Sequence, residues 1–158
     1  HERGIWVESE IGEIGGKDGA HAPGGLTGAD EAARFVADTG VDALAVAVGS
    51  SHAMVDQSAS LNMERISDIA AACPVPLVLH GSSGVPDHEL SEAVSRGMRK
   101  INIGTALSRV FSESIRASLA DDPAQVDPRR YLSPARVQVQ ETVSHYLQLL
   151  SSSDRLAH

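Results

Sequence analysis

The sequence predicts an α/β protein built on parallel strands, and three observations carry that prediction. Strand-like apolar runs alternate with amphipathic helical runs four times between residues 4 and 121. Most of the linkers between them are about as short as βα and αβ connections allow. The run "VDALAVAVG" (41–49) is apolar at almost every position, as expected of a strand covered on both faces in a parallel sheet.

The elements follow in order. In "GIWVESEIG" (4–12) the alternation puts Ile5, Val7 and Ser9 on one face and Trp6, Glu8 and Glu10 on the other. The Gly-rich loop 15–28 carries Lys17, Asp18 and His21 and reads as a lid over a site. "ADEAARFVADTG" (29–40) is a helix, with Asp30 and Glu31 complementing the dipole of its first turn and Gly40 stopping it. The strand 41–49 follows. "NMERISDIAAACP" (62–74) is a helix capped by Asn62 and closed by Pro74. "VPLVLHG" (75–81) is the third strand and "PDHELSEAVSRG" (86–97) the third helix. "MRKINIGT" (98–105) is the fourth strand and "ALSRVFSESIRASLAD" (106–121) a long helix. Residues 122–134 are punctuated by proline, 135–152 read as a terminal helix, and the last residues as a frayed end. The expected division is a βα domain over 1–121 and an extension over 122–158.

Four consecutive βα units build either a small open sheet or half of a closed eightfold barrel. Both place their chemistry at the C-terminal ends of the strands. Glu10, His52, His80 and Asn102 all lie at or just beyond such ends.

Composition narrows the function classes. The 158 residues are 42% hydrophobic, enough for one domain with a real core. A formal charge of −8 argues against a general nucleic-acid surface. It leaves room for a small phosphate ester, because backbone N–H groups hold phosphate without basic side chains. No apolar stretch approaches the roughly 20 residues that cross a bilayer, and nothing reads as a signal peptide. Cys73 is the only cysteine, so there is no disulfide framework or thiolate zinc site, and a reducing cytoplasm is the simplest compartment. The chain opens on "HERGIWVESEIG" and enters a strand almost at once, which reads as a fragment or a processed chain.

His52 and His80 each follow a strand and are flanked by small residues. Imidazole is a common zinc ligand, and two histidines after consecutive parallel strands can converge on one ion. Either alone is an ordinary polar loop residue. Glu10 is close enough to its strand's end to reach a metal, though a lone carboxylate is more often solvated or ion-paired. "HGSSG" (80–84) and "NIGTA" (102–106) are weak phosphate-loop signals. Gly81 and Gly84 permit close approach of an anion to the backbone, and Thr105 is placed to cap the following helix. The alternative for both is a tight turn with an ordinary cap. Lys17 and Lys100 are the only lysines. Lys100 is expected to start a strand, at the end of the sheet away from the site, so no amine is well placed for a Schiff base.

Taken together, "VESEIGEIGGKDG", "TGVDALAVAVGSSHAM", "PLVLHGSSGVPD" and "KINIGTAL" resemble the class II, zinc-dependent ketose-bisphosphate aldolases, the fructose- and tagatose-bisphosphate aldolase family. The resemblance covers roughly residues 4–120 and implies the (β/α)8 TIM-barrel fold, with this chain supplying strands five to eight. It implies Zn2+ as the catalytic ion, with a second divalent or a monovalent cation nearby. His52 and His80 are then zinc ligands, and Glu10 a carboxylate near the second metal position. Ala53, Gly81, Ser82, Ser83, Ile103, Gly104 and Thr105 would line the dihydroxyacetone phosphate unit, Asn102 would bond the enediolate, and Asp18 would be the base at C3. The family's third zinc-binding histidine and its general acid/base aspartate belong to the first barrel half and have no counterpart here.

The implied reaction is reversible cleavage of a ketose 1,6-bisphosphate to dihydroxyacetone phosphate and glyceraldehyde 3-phosphate, in carbohydrate metabolism and glycolysis. The implied partners are a sugar phosphate and either a homodimer, a homotetramer or the missing N-terminal half, with no nucleic acid and no membrane. Three departures stand out. Ala53 replaces a usual glycine, Lys17-Asp18 replaces a more acidic loop, and Gly104 matches neither the fructose nor the tagatose pattern. Two other readings remain open: a non-catalytic half-barrel that binds phosphate or metal weakly and self-associates, and a phosphate-binding isomerase or epimerase barrel.

Overall fold

The computed structural model describes residues 1–12, 25–52 and 56–151, and these fall into two compact units that divide between Ile103 and Gly104. The first unit holds β1 (Glu8–Ile11), α1 (Ala29–Thr39), β2 (Ala43–Val46), α2 (Met63–Ala72), β3 (Leu77–Leu79), a short 3₁₀ turn (Ser82–Gly84), α3 (Asp87–Arg96) and β4 (Met98–Ile101). The second unit holds α4 (Thr105–Asp121) packed against α5 (Pro128–Leu149).

The four strands form one sheet in the order β1-β2-β3-β4, every pair parallel. Spatial order equals chain order, so the sheet has no point at which strand order reverses, as doubly wound sheets do. Right-handed crossovers then carry α1, α2 and α3 to the same side, and α1 packs on α2 and α2 on α3. Of the two architectures the sequence allows, this is the barrel type of winding.

The register separates the two faces. Leu44 pairs with Leu77 and Leu77 with Met98, and all three are fully or almost fully buried. With Ile66, Ile69 and Leu90 of α2 and α3, also fully buried, they form the core between sheet and helices. On the opposite face, Glu10 pairs with Ala45, Ala45 with Val78 and Val78 with Lys100, and Glu8 pairs with Ala43 one pleat earlier. Ala43, Ala45 and Val78 are in mutual contact as a buried cluster. This face is therefore small and apolar in its middle, with charged side chains on the two outer strands.

Those outer strands are three steps apart, about 14 Å in a flat sheet. Side chains stand roughly perpendicular to a sheet, so groups on strands that far apart do not meet unless the sheet curls. Lys100 Nζ nevertheless lies 2.6 Å from Glu8 Oε2. The sheet is curled with the alanine face inward, as in a barrel wall.

Several local expectations need correction. Lys100 does not start a strand away from the site: it is the third residue of β4. A register shift between Leu77 and Val78 pairs Val78 with Lys100 and skips Arg99, so the irregularity turns the lysine onto the inward face. Thr105 is the first residue of α4 and Gly104 its N-cap, so the threonine is not the cap. The last helix begins at Pro128, seven residues before the expected start. Asp127 caps it by accepting from the Arg129 N–H, and Pro128 fits the first turn, where no intrahelical donor is needed. Pro134 lies inside this helix. Packing along α4 offsets its missing hydrogen bond, a defect of about 3 kcal/mol in an isolated helix. Asn62 caps α2 as expected, accepting from Arg65 N at 2.9 Å.

The sandwich of sheet and helices predicts the response of its centre. Truncating Leu44, which is 0% exposed, should cost about 2–5 kcal/mol through lost burial and a residual cavity. Urea denaturation of Leu44→Ala against the parent measures it.

Candidate metal centre

Glu8 and Glu10 are two residues apart on β1 and share its inward face, because strand side chains alternate. His80 comes directly after β3, and His52 lies in the loop after β2. Across the alanines of β2, His80 Nδ1 is 2.6 Å from Glu10 Oε2 and His80 Nε2 is 3.3 Å from Glu8 Oε1. The His52 and His80 ring centroids are 5.8 Å apart, the planes inclined at 61°. One ligand atom from each of Glu10, His52 and His80 falls within 4.8 Å of the other two.

Three local devices hold these groups. Gly81 has φ +67°, and a Cβ there would stand 2.6 Å from the Ser51 carbonyl carbon and oxygen. Only glycine lets the loop after β3 press on the loop after β2 so closely. The Ser50 hydroxyl donates to the His80 carbonyl at 2.6 Å, tying the same two loops. Thr27, 1% exposed, ties the ends of β1 and β2: its hydroxyl donates to Ile11 O at 3.0 Å and accepts from Ala47 N at 2.9 Å.

The residues fit a divalent cation. His52 Nε2 is buried and has no hydrogen-bond partner among the described residues, an arrangement that costs free energy unless a ligand completes it. Two imidazoles and one carboxylate are a donor set suited to zinc and related first-row ions. His80 also shows the usual outer partner of a metal-binding histidine, a carboxylate on its other ring nitrogen. Burial alone pushes the Glu8 carboxyl up, but hydrogen bonds from Lys100 and His80 and their charges outweigh it, leaving its pKa below the ordinary value of 4.5.

The other expected site residues are distributed as follows. The Asn102 N–H donates to Leu79 O at 3.0 Å, extending the β3–β4 pairing one residue past the strand and setting Asn102 beside the residue that precedes His80. Ser82 is 1% exposed and its hydroxyl donates to Leu79 O at 3.1 Å, so that proton is already committed. Ser83 and Ile103 are half-buried. Gly104 and Thr105 open the second unit. Asp18 and Ala53, with residues 15–24 of the loop read as a lid, lie outside the described residues.

Two residues gained importance only in three dimensions. Glu8 was visible as a face-mate of Glu10, and the scarcity of lysine marked Lys100, but their pairing needs the curl of the sheet and the register shift.

Fold and cluster together define a parallel α/β protein of the barrel type with a two-histidine, one-carboxylate centre at the C-terminal ends of its strands. The family model for class-II fructose-bisphosphate aldolase matches residues 1–155, and the chain belongs to that family. Curated relatives include the fructose-bisphosphate aldolases of Staphylococcus epidermidis and Staphylococcus aureus. Each is 36% identical over 157 residues, covering 98% of this chain and 55% of the relative. Among solved structures, the YdjI aldolase of Escherichia coli K12 matches with a TM-score of 0.76 at 33% identity, over 98% of this chain and 51% of that one. The fructose-bisphosphate aldolase of Campylobacter jejuni shares the fold, with a TM-score of 0.75 at 21% identity over 94% and 52% of the two chains. The chain thus spans about half the length of the relatives it matches. No helix among the described residues is long and apolar enough to cross a membrane.

Two outcomes follow from this geometry. Gly81→Ala should lower stability by at least about 1 kcal/mol, from the left-handed backbone and the clash with Ser51. It should also weaken cobalt binding by moving the two histidine loops apart, and urea denaturation with a cobalt titration reads both effects. The second outcome concerns pH. A carboxylate whose folded pKa is depressed stabilises the fold above its unfolded value, and that contribution is lost as pH falls through the folded pKa. For Glu8 the loss therefore falls below 4.5. Urea midpoints of the chelator-treated chain between pH 6 and pH 3 should fall more steeply than those of Glu8→Gln.

Proposed function

We propose that this chain carries half of the active site of a class II aldolase, which cleaves a ketose 1,6-bisphosphate, fructose or tagatose, to dihydroxyacetone phosphate and glyceraldehyde 3-phosphate. The observation that carries the reading is the convergence of Glu10, His52 and His80 within 4.8 Å, with a buried nitrogen on His52 that has no partner among the described residues, in a chain of this family. The family match also weighs against the isomerase or epimerase alternative.

Glu10, His52 and His80 would hold a divalent ion, zinc by its donor set, whose chemistry is Lewis-acid polarisation of the ketose carbonyl. The chain's own residues do the rest. Backbone N–H groups at Gly81 and Ser83, with Ala53 and Ile103 alongside, hold the phosphate of the three-carbon unit and fix its orientation. Asn102 donates a hydrogen bond to the oxygen that gains charge when the C3–C4 bond breaks. The C4 hydroxyl proton leaves to an acid/base group in the other barrel half, and Asp18 exchanges the proton at C3. A second cation site beside Glu10 belongs to the same reading. Residues 1–121 are assigned to the barrel wall and 122–158 to an extension, with the cytoplasm as the compartment and a homodimer or homotetramer as the assembly.

In β1 and β4, the outer strands of the sheet, Met98 alone is fully buried, and this favours a second reading. In it the chain alone is a non-catalytic half-barrel that binds metal or phosphate weakly and associates through its edges.

A coupled assay on fructose and tagatose bisphosphates separates the two. We expect turnover only when the chain is joined to a first barrel half, abolished by EDTA and restored by zinc. Cleavage that survives the chelator would sink the aldolase reading, and turnover by the pure 158-residue chain would remove the half-barrel alternative.

A further inference from the structure

Lys100 is the one described lysine, and it is spent on a side chain at the opposite edge of the sheet. Its Nζ lies 2.6 Å from Glu8 Oε2, while the other oxygen of the same carboxylate, Oε1, lies 3.3 Å from His80 Nε2. The Glu8 side chain is 18% exposed and that of His80 19%. The bridge crosses only Ala43, Ala45 and Val78, and the register shift in β4 is what turns Lys100 toward it.

We infer that Lys100 is a positioning residue of the metal centre: through Glu8 it fixes which ring nitrogen of His80 faces the ligand cluster. The inference rests on the metal reading above and extends it outward by two residues. A histidine ring has two chemically similar nitrogens and can present either after a half-turn about its Cβ–Cγ bond. Glu8 removes that freedom, because its carboxylate accepts from Nε2–H and leaves Nδ1 on the side of Glu10, 2.6 Å away. A glutamate carboxylate has its own torsional freedom, and Lys100 removes it by holding the second oxygen. The lysine therefore touches neither ion nor substrate and acts by way of two intervening side chains. Outer partners of this kind typically matter about 10–100-fold in metal affinity.

The test uses the 158-residue chain with cobalt and zinc as probes. Wild type, Lys100→Met and Lys100→Arg are titrated with cobalt against a chromophoric chelator. The zinc-loaded proteins, labelled with 15N-histidine, are read by long-range proton–nitrogen correlation. We expect wild type to show one His80 linkage, through Nδ1 with Nε2 protonated. Lys100→Met should bind cobalt about 10–100-fold more weakly and show His80 bound through either nitrogen, and Lys100→Arg should recover most of the affinity and the single linkage. A loss of general packing alone would not exchange the coordinating nitrogen. If Lys100→Met does not fold, Lys100→Gln makes the same comparison. Wild-type binding with unchanged affinity and linkage in the uncharged variant overturns this inference alone. A wild-type chain that binds no cobalt overturns the metal reading and this inference with it.

Discussion

The site depends on a histidine held between two carboxylates of one strand. His80 reaches both Glu8 and Glu10 although its own strand is not their neighbour, because β2 lies between. Two conditions make this possible. The intervening strand offers only Ala43 and Ala45 on that face, and the sheet curls so that side chains on outer strands converge. Larger residues in β2 would fill the space, and a flat sheet would leave the groups too far apart. The apolar packing of Leu44, Leu77 and Met98 on the other face supplies the burial that holds this curvature against the electrostatic demands of the inward side.

Much of the fold was legible because its signals are local. Alternating βα runs, the acidic first turn of α1, the Asn62 cap and the doubly buried β2 can each be read within a dozen residues, and each is present. His52, His80 and Glu10 were legible for a related reason: loops at the C-terminal ends of parallel strands meet whatever the remaining details. What escaped reading is non-local or irregular. A two-residue period places Met98 and Lys100 on one face, and the register shift at Leu77/Val78 separates them. The early start of α5 escaped because prolines at 128 and 134 read as breakers, while the tertiary contact with α4 outweighs that preference. Gly81 was legible as a flexible position, but its partner, the Ser51 backbone, is set only by the packing of two loops.

The polar groups on the inward face form one connected set. Lys100 holds Glu8, Glu8 and Glu10 hold His80, and the Ser50 hydroxyl holds the His80 backbone. Partly buried charges are tolerable when each has an opposite or donating partner. Among the described residues, two buried side-chain atoms of the loop after β2 lack a partner, Ser51 Oγ and His52 Nε2. Of the two residues, His52 stands in the cluster with Glu10 and His80, the arrangement expected where a cation contributes the missing partner.

The same set bears on the choice between two chemistries for aldol cleavage. A Schiff-base route requires an amine that is free to attack a carbonyl, and lysines serve it when burial or neighbouring cations depress their pKa. Lys100 is not free in this way. Its Nζ lies 2.6 Å from Glu8 Oε2 and donates to it. Its head group is also committed to holding Glu8 in place, so an attack on substrate would release the carboxylate that orients His80. A lysine in this setting is suited to supporting a ligand and poorly suited to forming an imine, and the inward face as a whole is organised around histidine and carboxylate donors.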